Sequence, residues 1–234
     1  MFSASSEAVE PTPTPPPVPV PRPPPPLFSW IYLGVCVLVF LPHALEVEPP
    51  NGFLLYGPAI ATGEWWRVLT SAVEHISPFH ILANGLSIWS FGTVLERQIG
   101  SLRMFVASLV TALTSAAGAL GFLWFFPSAG ASGVICGWLG LALLIFGGRA
   151  QKVLVQWAIL IVLISLIPRV SWAAHLGGFI GGLALGLLIR AGARLRPNAP
   201  FRLFDRMTMP AIAIAAGVVW LVVRAHAGLG GRTL

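Results

Sequence analysis

Long apolar stretches with almost no charged residues constrain this chain more than any other feature. Only 9% of its 234 residues are charged, against about a quarter in soluble domains. Backbone polar groups within lipid must be satisfied inside the segment, so such stretches fold as helices. The chain is therefore predicted to be an all-α, polytopic membrane helix bundle. Crossing a bilayer takes roughly 17 to 25 residues, and stretches of that size lie at about 28–45, 77–95, 104–126, 130–147, 152–168, 172–190 and 209–225.

The basic residues predict how this bundle is oriented. The net charge of +6 is not gathered on one amphipathic face or tail, so no nucleic-acid partner is expected. Basic residues favour the cytoplasmic loops of a membrane protein, which predicts a cytoplasmic N-terminus and an external C-terminus. The predicted cytoplasmic side carries Arg22, Arg97, Arg103, Arg149, Lys152, Arg190, Arg194, Arg196, Arg202 and Arg206, and the other side carries Arg67, Arg169, Arg224 and Arg232.

Composition divides the chain into four predicted segments. Residues 1–26 are rich in proline and are predicted to be a disordered cytoplasmic leader, with a partner-binding tail as the alternative. Residues 27–192 form the predicted membrane core and 193–208 a basic cytoplasmic linker. Residues 209–234 are an additional C-terminal membrane helix with a short tail, so that the spans divide into six plus one.

A hydroxyl flanked by glycines opens the fourth span, in Gly130-Ala131-Ser132-Gly133. In a glycine-rich membrane protein, Ser132 is either another small packing residue or a nucleophile, and the motif alone favours packing. Gly133 and Gly137 lie on one face of the helix. Small residues in this pattern let a neighbouring backbone approach closely.

The sixth span carries the matching surface and a histidine. His175 lies beside the start of a stripe with a small residue at every fourth position. If Gly133 or Gly137 packs against this stripe, Ser132 and His175 can come within the roughly 2.6 to 3.2 Å that proton transfer needs. Serine with a histidine base is an acyl-transfer nucleophile. The stripe consists of Ala174, Gly178, Gly182 and Gly186.

Two further polar residues share a face of the second span. Ser77 before Pro78 is a typical helix N-cap, and it places His80 and Asn84 one turn apart just inside that helix. Embedded polar pairs are candidates for a functional site. The charge-derived topology puts them at the depth of Ser132, where they are suited to stabilise an oxyanion.

Other catalytic classes fit less well. The only aspartate, Asp205, falls in a predicted cytoplasmic loop, so we predict a dyad in which packing orients His175. The embedded histidines have no carboxylate or cysteine set beside them, so neither a metal nor another cofactor is expected. An α/β-hydrolase elbow would need glycine where Val134 stands. A transporter would show broken helices in two related halves, and no such pattern is present.

Four motifs in order resemble the rhomboid intramembrane serine proteases, over about residues 64 to 186. They are Trp66-Arg67 in the long loop 46–76, His80-x-x-x-Asn84, Gly130-Ala131-Ser132-Gly133 and Ala174-His175-x-x-Gly178-x-x-x-Gly182. The resemblance implies a six-helix rhomboid-like core with a seventh membrane helix. It also implies a Ser132–His175 dyad, an oxyanion hole at His80 and Asn84, and a first loop lying partly in the outer leaflet.

The resemblance further implies what such a protein acts on. Rhomboids cleave single-span membrane proteins near the outer face, where the substrate helix must unwind because its peptide bonds are otherwise shielded. The lipid bilayer is the surrounding partner. The Ala-, Gly- and Arg-rich composition suggests a bacterial source and hence the inner membrane.

Three further positions bear on the resemblance. His75 and Glu96 fall where rhomboids often have a histidine and a glutamate, and Glu96 is expected to cap the loop that follows it. Many rhomboids have an aromatic residue four positions after the nucleophile, but this chain has Cys136, which cannot stack on His175. The alternative to an active protease is therefore a non-proteolytic rhomboid-like membrane binding protein.

Overall fold

The computed structural model describes residues 24–45, 47 and 51–230. Most of the predicted leader, Glu46 and Glu48 of the first loop, and residues 231–234 of the predicted tail lie outside these ranges. A 3-10 turn at Asn51–Phe53 and a π turn at Ile88–Gly92 accompany the α-helices. The helices are α1 (Leu27–Ala44), α2 (Gly57–Ala61), α3 (Arg67–Thr70), α4 (Pro78–Ser87), α5 (Thr93–Ile99), α6 (Ser101–Phe122), α7 (Ser132–Ile145), α8 (Gly148–Ser165), α9 (Trp172–Leu195) and α10 (Arg202–Gly230).

The predicted all-α fold class is confirmed. Four of the described helices, α6, α8, α9 and α10, are long and apolar enough to cross a membrane. The apolar parts of α1 and α7 are shorter, and the second predicted span consists of α4, the π turn and α5. The count of seven crossings therefore stays a prediction.

Helix α7 is the centre of the bundle. It contacts α4, α6, α8 and α9, and ten of its 14 residues, from Gly133 to Ala142, are buried. Its 14 residues make a helix of about 21 Å, at about 1.5 Å for each residue. The prediction that this span covers 130–147 was too long at both ends, because a helix enclosed by protein does not have to match the thickness of the lipid.

The backbones of α7 and α9 lie almost in contact. A Cβ atom at Gly178 would collide with the carbonyl group of Gly133, and one at Gly182 would collide with that of Gly137. Helices in lipid associate through close packing, which small residues permit. The Ala174–Gly186 stripe therefore lies along the glycine face of α7, as the spacing of the small residues predicts.

The second predicted span contains a π turn that ends at a glycine packed against a large ring. Gly92 lies against the indole of Trp138, where an added Cβ would come within 2.7 Å of the ring. A π turn contains one residue more than an α-helical turn and so rotates everything that follows it. The rotation turns Glu96, at the opposite end of this span from His80, towards the start of α1.

Glu96 has a wider role than capping the following loop. Its buried carboxylate accepts hydrogen bonds from the Phe28 and Ser29 amides at 2.8 and 2.7 Å and from the Ser29 hydroxyl at 2.6 Å. The Ser101 hydroxyl, at the start of α6, also donates to it. A carboxylate suits the unsatisfied amides of a helix N-terminus, so Glu96 joins α1, α5 and α6.

Helix α10 packs on the outside of α6 and α9. Arg103 in the first turn of α6 forms two hydrogen bonds with Asp205 in the first turn of α10, at 2.7 and 2.8 Å. Because α9 continues to Leu195 and α10 begins at Arg202, the predicted linker 193–208 is reduced to six residues. Asp205 lies within a helix and not in a loop.

Adding one methyl group at the centre of the α7–α9 contact will destabilise the bundle. Gly182→Ala places its Cβ against the Gly137 backbone, which cannot move aside as a side chain could. We expect a loss of about 1 to 3 kcal/mol in the free energy of unfolding, as for other overpacked cores. Thermal or denaturant unfolding of the purified protein in detergent measures this loss.

Gly217→Ala is the matched control, because Gly217 also lies within a helix but has no atom within 4 Å of the added Cβ. We expect this variant to be as stable as the parent or slightly more so, since alanine favours helix. Equal unfolding midpoints for the two variants would contradict the proposed contact.

Candidate active site

Ser132 and His175 meet where α7 and α9 begin. Ser132 is the first residue of α7 and His175 lies in the first turn of α9. The Nε2 atom of His175 is 2.9 Å from the Ser132 hydroxyl, within the range for proton transfer between a nucleophile and its base. The helix contact at Gly133 and Gly178 lies directly beside this pair, so backbone packing sets their separation.

A third side chain, which the sequence did not single out, completes the arrangement. The hydroxyl of Ser165, the last residue of α8, is 2.7 Å from Nδ1 of His175. The prediction that packing alone orients His175 is therefore incomplete. A serine near the end of an apolar helix carries no distinctive signal, because its hydroxyl usually bonds to its own helix.

His80 and Asn84 lie on the other side of the loop that precedes Ser132. Both face Gly130, and an added Cβ there would be 2.6 Å from His80 Nε2 and 3.6 Å from Asn84 Nδ2. Asn84 Nδ2 is buried and has no hydrogen-bond partner among the described residues. Two side-chain groups that can donate hydrogen bonds thus converge next to the candidate nucleophile. The predicted Ser77 cap is confirmed, since its hydroxyl accepts from the His80 amide at 3.2 Å.

His75 supports His80 from the preceding loop. The two rings lie 5.0 Å apart between centroids, and His75 Nδ1 donates to the Val73 carbonyl at 3.1 Å. Burial, followed by the nearby His80, lowers the pKa of His75 to about 4. Its ring is therefore neutral at pH 7 and can pack against His80 without charge repulsion.

The first loop is attached to the segment that carries the nucleophile. Arg67, a largely buried side chain, donates to the Leu54 carbonyl at 3.1 Å and pairs with Glu64. Leu55 exchanges two backbone hydrogen bonds with Ser128, at 2.8 and 3.0 Å. Arg67 thus holds the strand-like segment against which the residues before Ser132 are aligned.

Trp66 belongs to the same loop. Its indole donates to the Gly52 carbonyl at 3.0 Å, while just over half of its surface is exposed. Trp66 has the exposure of an interfacial aromatic residue, whereas Arg67 is directed into the loop.

Cys136 is buried one turn after Ser132 and is a free thiol. As the sequence indicates, it offers no aromatic surface to His175. In the described part of the chain, no three His, Cys, Asp or Glu side chains are grouped so as to hold a metal ion. The groups that this candidate site presents are the hydroxyl, imidazole and amide side chains described above.

The fold and the site together define a class of protein: a helical membrane bundle that holds a serine and a histidine in hydrogen-bond contact. The rhomboid domain family model matches residues 62–192, which is more than half of the chain. The chain therefore belongs to the rhomboid family, and it is an integral, multi-pass membrane protein.

Individual relatives come from bacteria and plants. The chain is 35% identical to rhomboid protease GluP of Bacillus subtilis (strain 168) over 185 residues, covering 71% of this chain and 36% of that protein. It is 30% identical to rhomboid protease GlpG of Enterobacter sp. (strain 638) over 171 residues, covering 68% of this chain and 60% of that protein. It is 29% identical to RHOMBOID-like protein 5 of Arabidopsis thaliana over 185 residues, covering 66% of this chain and 58% of that protein.

Gly130 is a position in the site where a side chain cannot be accommodated without a shift of its neighbours. Its φ of 121° favours glycine, and an added Cβ would collide with the His80 ring. We expect Gly130→Ala to slow the reaction of Ser132 with a fluorophosphonate probe by about 100-fold, comparable to the loss of one oxyanion donor. The rate of covalent labelling in detergent measures this effect.

Gly63→Ala is the control that tests backbone strain without a collision with the His80 ring. Gly63 has a similar φ of 115°, but nothing lies within 4 Å of an added Cβ. Both variants should lose about 1 kcal/mol or more of stability, because alanine is strained at positive φ. Labelling should slow only in Gly130→Ala, and equal labelling of the two variants would show that the His80 contact is irrelevant.

Proposed function

We propose that the chain is a serine-type intramembrane endopeptidase that cleaves transmembrane segments of single-span membrane proteins. The observation that carries this proposal is the 2.9 Å contact between the Ser132 hydroxyl and Nε2 of His175. Both groups are held by helices whose backbones are in contact, so the pair is assembled before substrate arrives. Preorganised geometry of this kind is a large part of enzymatic rate enhancement.

The reaction begins with proton transfer from Ser132 to His175. As the serine oxygen attacks the scissile carbonyl, Nε2 takes its proton, and it later gives that proton to the leaving amine. The amine departs with one part of the substrate, and the other part remains on Ser132 as an ester. A water molecule, activated by the same imidazole, then hydrolyses this ester and restores the hydroxyl.

His80 and Asn84 stabilise the negative charge that develops on the carbonyl oxygen. Asn84 Nδ2 is a buried donor with no partner among the described residues, and His80 Nε2 lies beside Gly130. A donor that becomes satisfied only when the oxyanion forms favours the transition state over the ground state. The amide of Ser132, at the N-terminus of α7, adds a third donor of the same kind.

The orientation follows from the distribution of basic residues. Arg103 lies in the first turn of α6, and the other end of that helix leads into the loop before Ser132, so the site lies at the end of the bundle opposite to Arg103. Basic ends favour the cytoplasmic side, which supports a site towards the outer face of the membrane, and we infer that this membrane is a bacterial inner membrane. The N-terminus is then cytoplasmic, the C-terminus external, and the first loop lies partly in the outer leaflet.

Replacing either member of the dyad should abolish proteolysis. Ser132→Ala and His175→Ala, co-expressed with a single-span substrate that has helix-breaking small residues near its outer end, should lose at least about 10³-fold in cleavage, because the members of a catalytic unit fail together. Ser87→Ala is the control, since among the described residues this hydroxyl donates only to the Ala83 carbonyl of its own helix. Immunoblotting of the substrate fragments measures cleavage.

The results separate the possible functions. Equal cleavage by the parent and Ser132→Ala would contradict the serine mechanism. Retention of substrate without cleavage by any variant would favour the non-proteolytic binding protein, the alternative that Cys136 suggested. Cleavage by the parent alone, with normal folding of both variants, would support the protease.

A further inference from the structure

We propose that Ser165 is a positioning residue that fixes the tautomer of His175, in the place where a carboxylate stands in a Ser-His-Asp triad. This inference rests on the proposed serine peptidase function. The Ser165 hydroxyl lies 2.7 Å from His175 Nδ1 and 2.7 Å from the Ile161 carbonyl oxygen. His175 Nε2 is in turn 2.9 Å from Ser132.

The direction of each hydrogen bond follows from the Ile161 carbonyl. A carbonyl oxygen can only accept, so the single hydroxyl proton of Ser165 is directed to Ile161. The Ser165 oxygen then directs a lone pair towards His175 and acts as an acceptor. His175 Nδ1 must therefore be protonated and donate to this oxygen. A neutral imidazole has one N–H, so Nε2 is unprotonated and accepts a hydrogen bond from the Ser132 hydroxyl.

This is the tautomer that a general base needs. If the proton were on Nε2, the ring would donate to Ser132 and could not take the serine proton until it had tautomerised or turned. In a Ser-His-Asp triad the aspartate holds the proton on Nδ1. Here, neutral Ser165 serves the same orienting purpose without adding a charge inside the membrane, where charges are costly.

Ser165 also holds the His175 ring in a site that has no aromatic residue at position 136 to stack on it. Cys136 provides no ring to stack on His175, and α8 is the helix that reaches the imidazole from the side opposite Ser132. Apart from Leu154, the residues of α8 are largely exposed, so Ser165 is one of the few points at which this helix enters the site.

The test compares Ser165→Thr with Ser165→Val in the full chain. The two side chains have nearly the same shape, but only threonine keeps the hydroxyl. We expect Ser165→Val and Ser165→Ala to slow fluorophosphonate labelling of Ser132 and to lower kcat by about three- to tenfold, the rate equivalent of one neutral hydrogen bond. KM should not change, because Ser165 contacts Nδ1 of His175, whereas Ser132 contacts Nε2. Ser165→Thr should retain most of the activity.

A second measurement reads the tautomer directly. In protein labelled with nitrogen isotope in its histidine rings, the parent and Ser165→Thr should show a protonated Nδ1 and a bare Nε2 for His175, and Ser165→Val should show a mixture of tautomers. His175→Gln identifies the signal by its loss. Ser87→Ala serves as the control, because in the part of the chain that the structure describes the Ser87 hydroxyl donates only to its own helix, at 2.9 Å.

Each outcome decides between defined alternatives. Equal labelling rates for the Thr and Val variants, or an unchanged tautomer in Ser165→Val, would overturn the role of Ser165 while leaving the protease in place. If the parent neither labels nor cleaves, the proposed function fails, and the tautomer measurement still tests Ser165. Thermal unfolding of each variant distinguishes a loss of folding from a loss of positioning.

Discussion

The contact between the backbones of α7 and α9 is the interaction on which the rest of the structure depends. In lipid, apolar side chains gain little by leaving their surroundings, so association relies on the close packing that glycine allows. Gly178 lies against Gly133 and Gly182 against Gly137. The separation of the two helices is thereby fixed at its minimum.

The polar groups of the site are arranged around this contact by helices that each contribute one or two side chains. Helix α8 brings Ser165 to one nitrogen of His175, while α7 brings Ser132 to the other. Helix α4 brings His80 and Asn84 to the loop before Ser132. Each of these side chains therefore comes from a helix and not from the first loop.

The first loop has a different function, which is to hold the backbone before the nucleophile. Its hydrogen bonds between Leu55 and Ser128, and between the Gly130 amide and the Ser71 carbonyl at 2.8 Å, satisfy polar groups that no helix satisfies. An irregular segment enclosed in a membrane protein needs such partners. The long loop is thus part of the scaffold of the site.

The sequence predicts those features that have a regular spacing. The apolar runs predict the helices, the Ser77-Pro78 pair predicts the start of α4, and the four-residue stripe on α9 predicts the face that meets α7. The ends of the helices were less predictable. The length of α7 depends on its burial by neighbouring helices, and the start of α10 lies where Asp205 pairs with Arg103. Ser165 could not be found, because its role depends on a tertiary contact that leaves no pattern in the sequence.

The π turn at Ile88–Gly92 has a consequence for how this chain can vary in length. It sets the direction of Glu96 separately from that of His80 and Asn84, although all three belong to one predicted span. Losing one residue in the π turn would leave His80 and Asn84 in α4 unchanged. It would rotate Glu96 about the helix axis by about 100°. The Phe28 and Ser29 amides would then face no carboxylate, so insertions and deletions in this segment are constrained even where substitutions are tolerated.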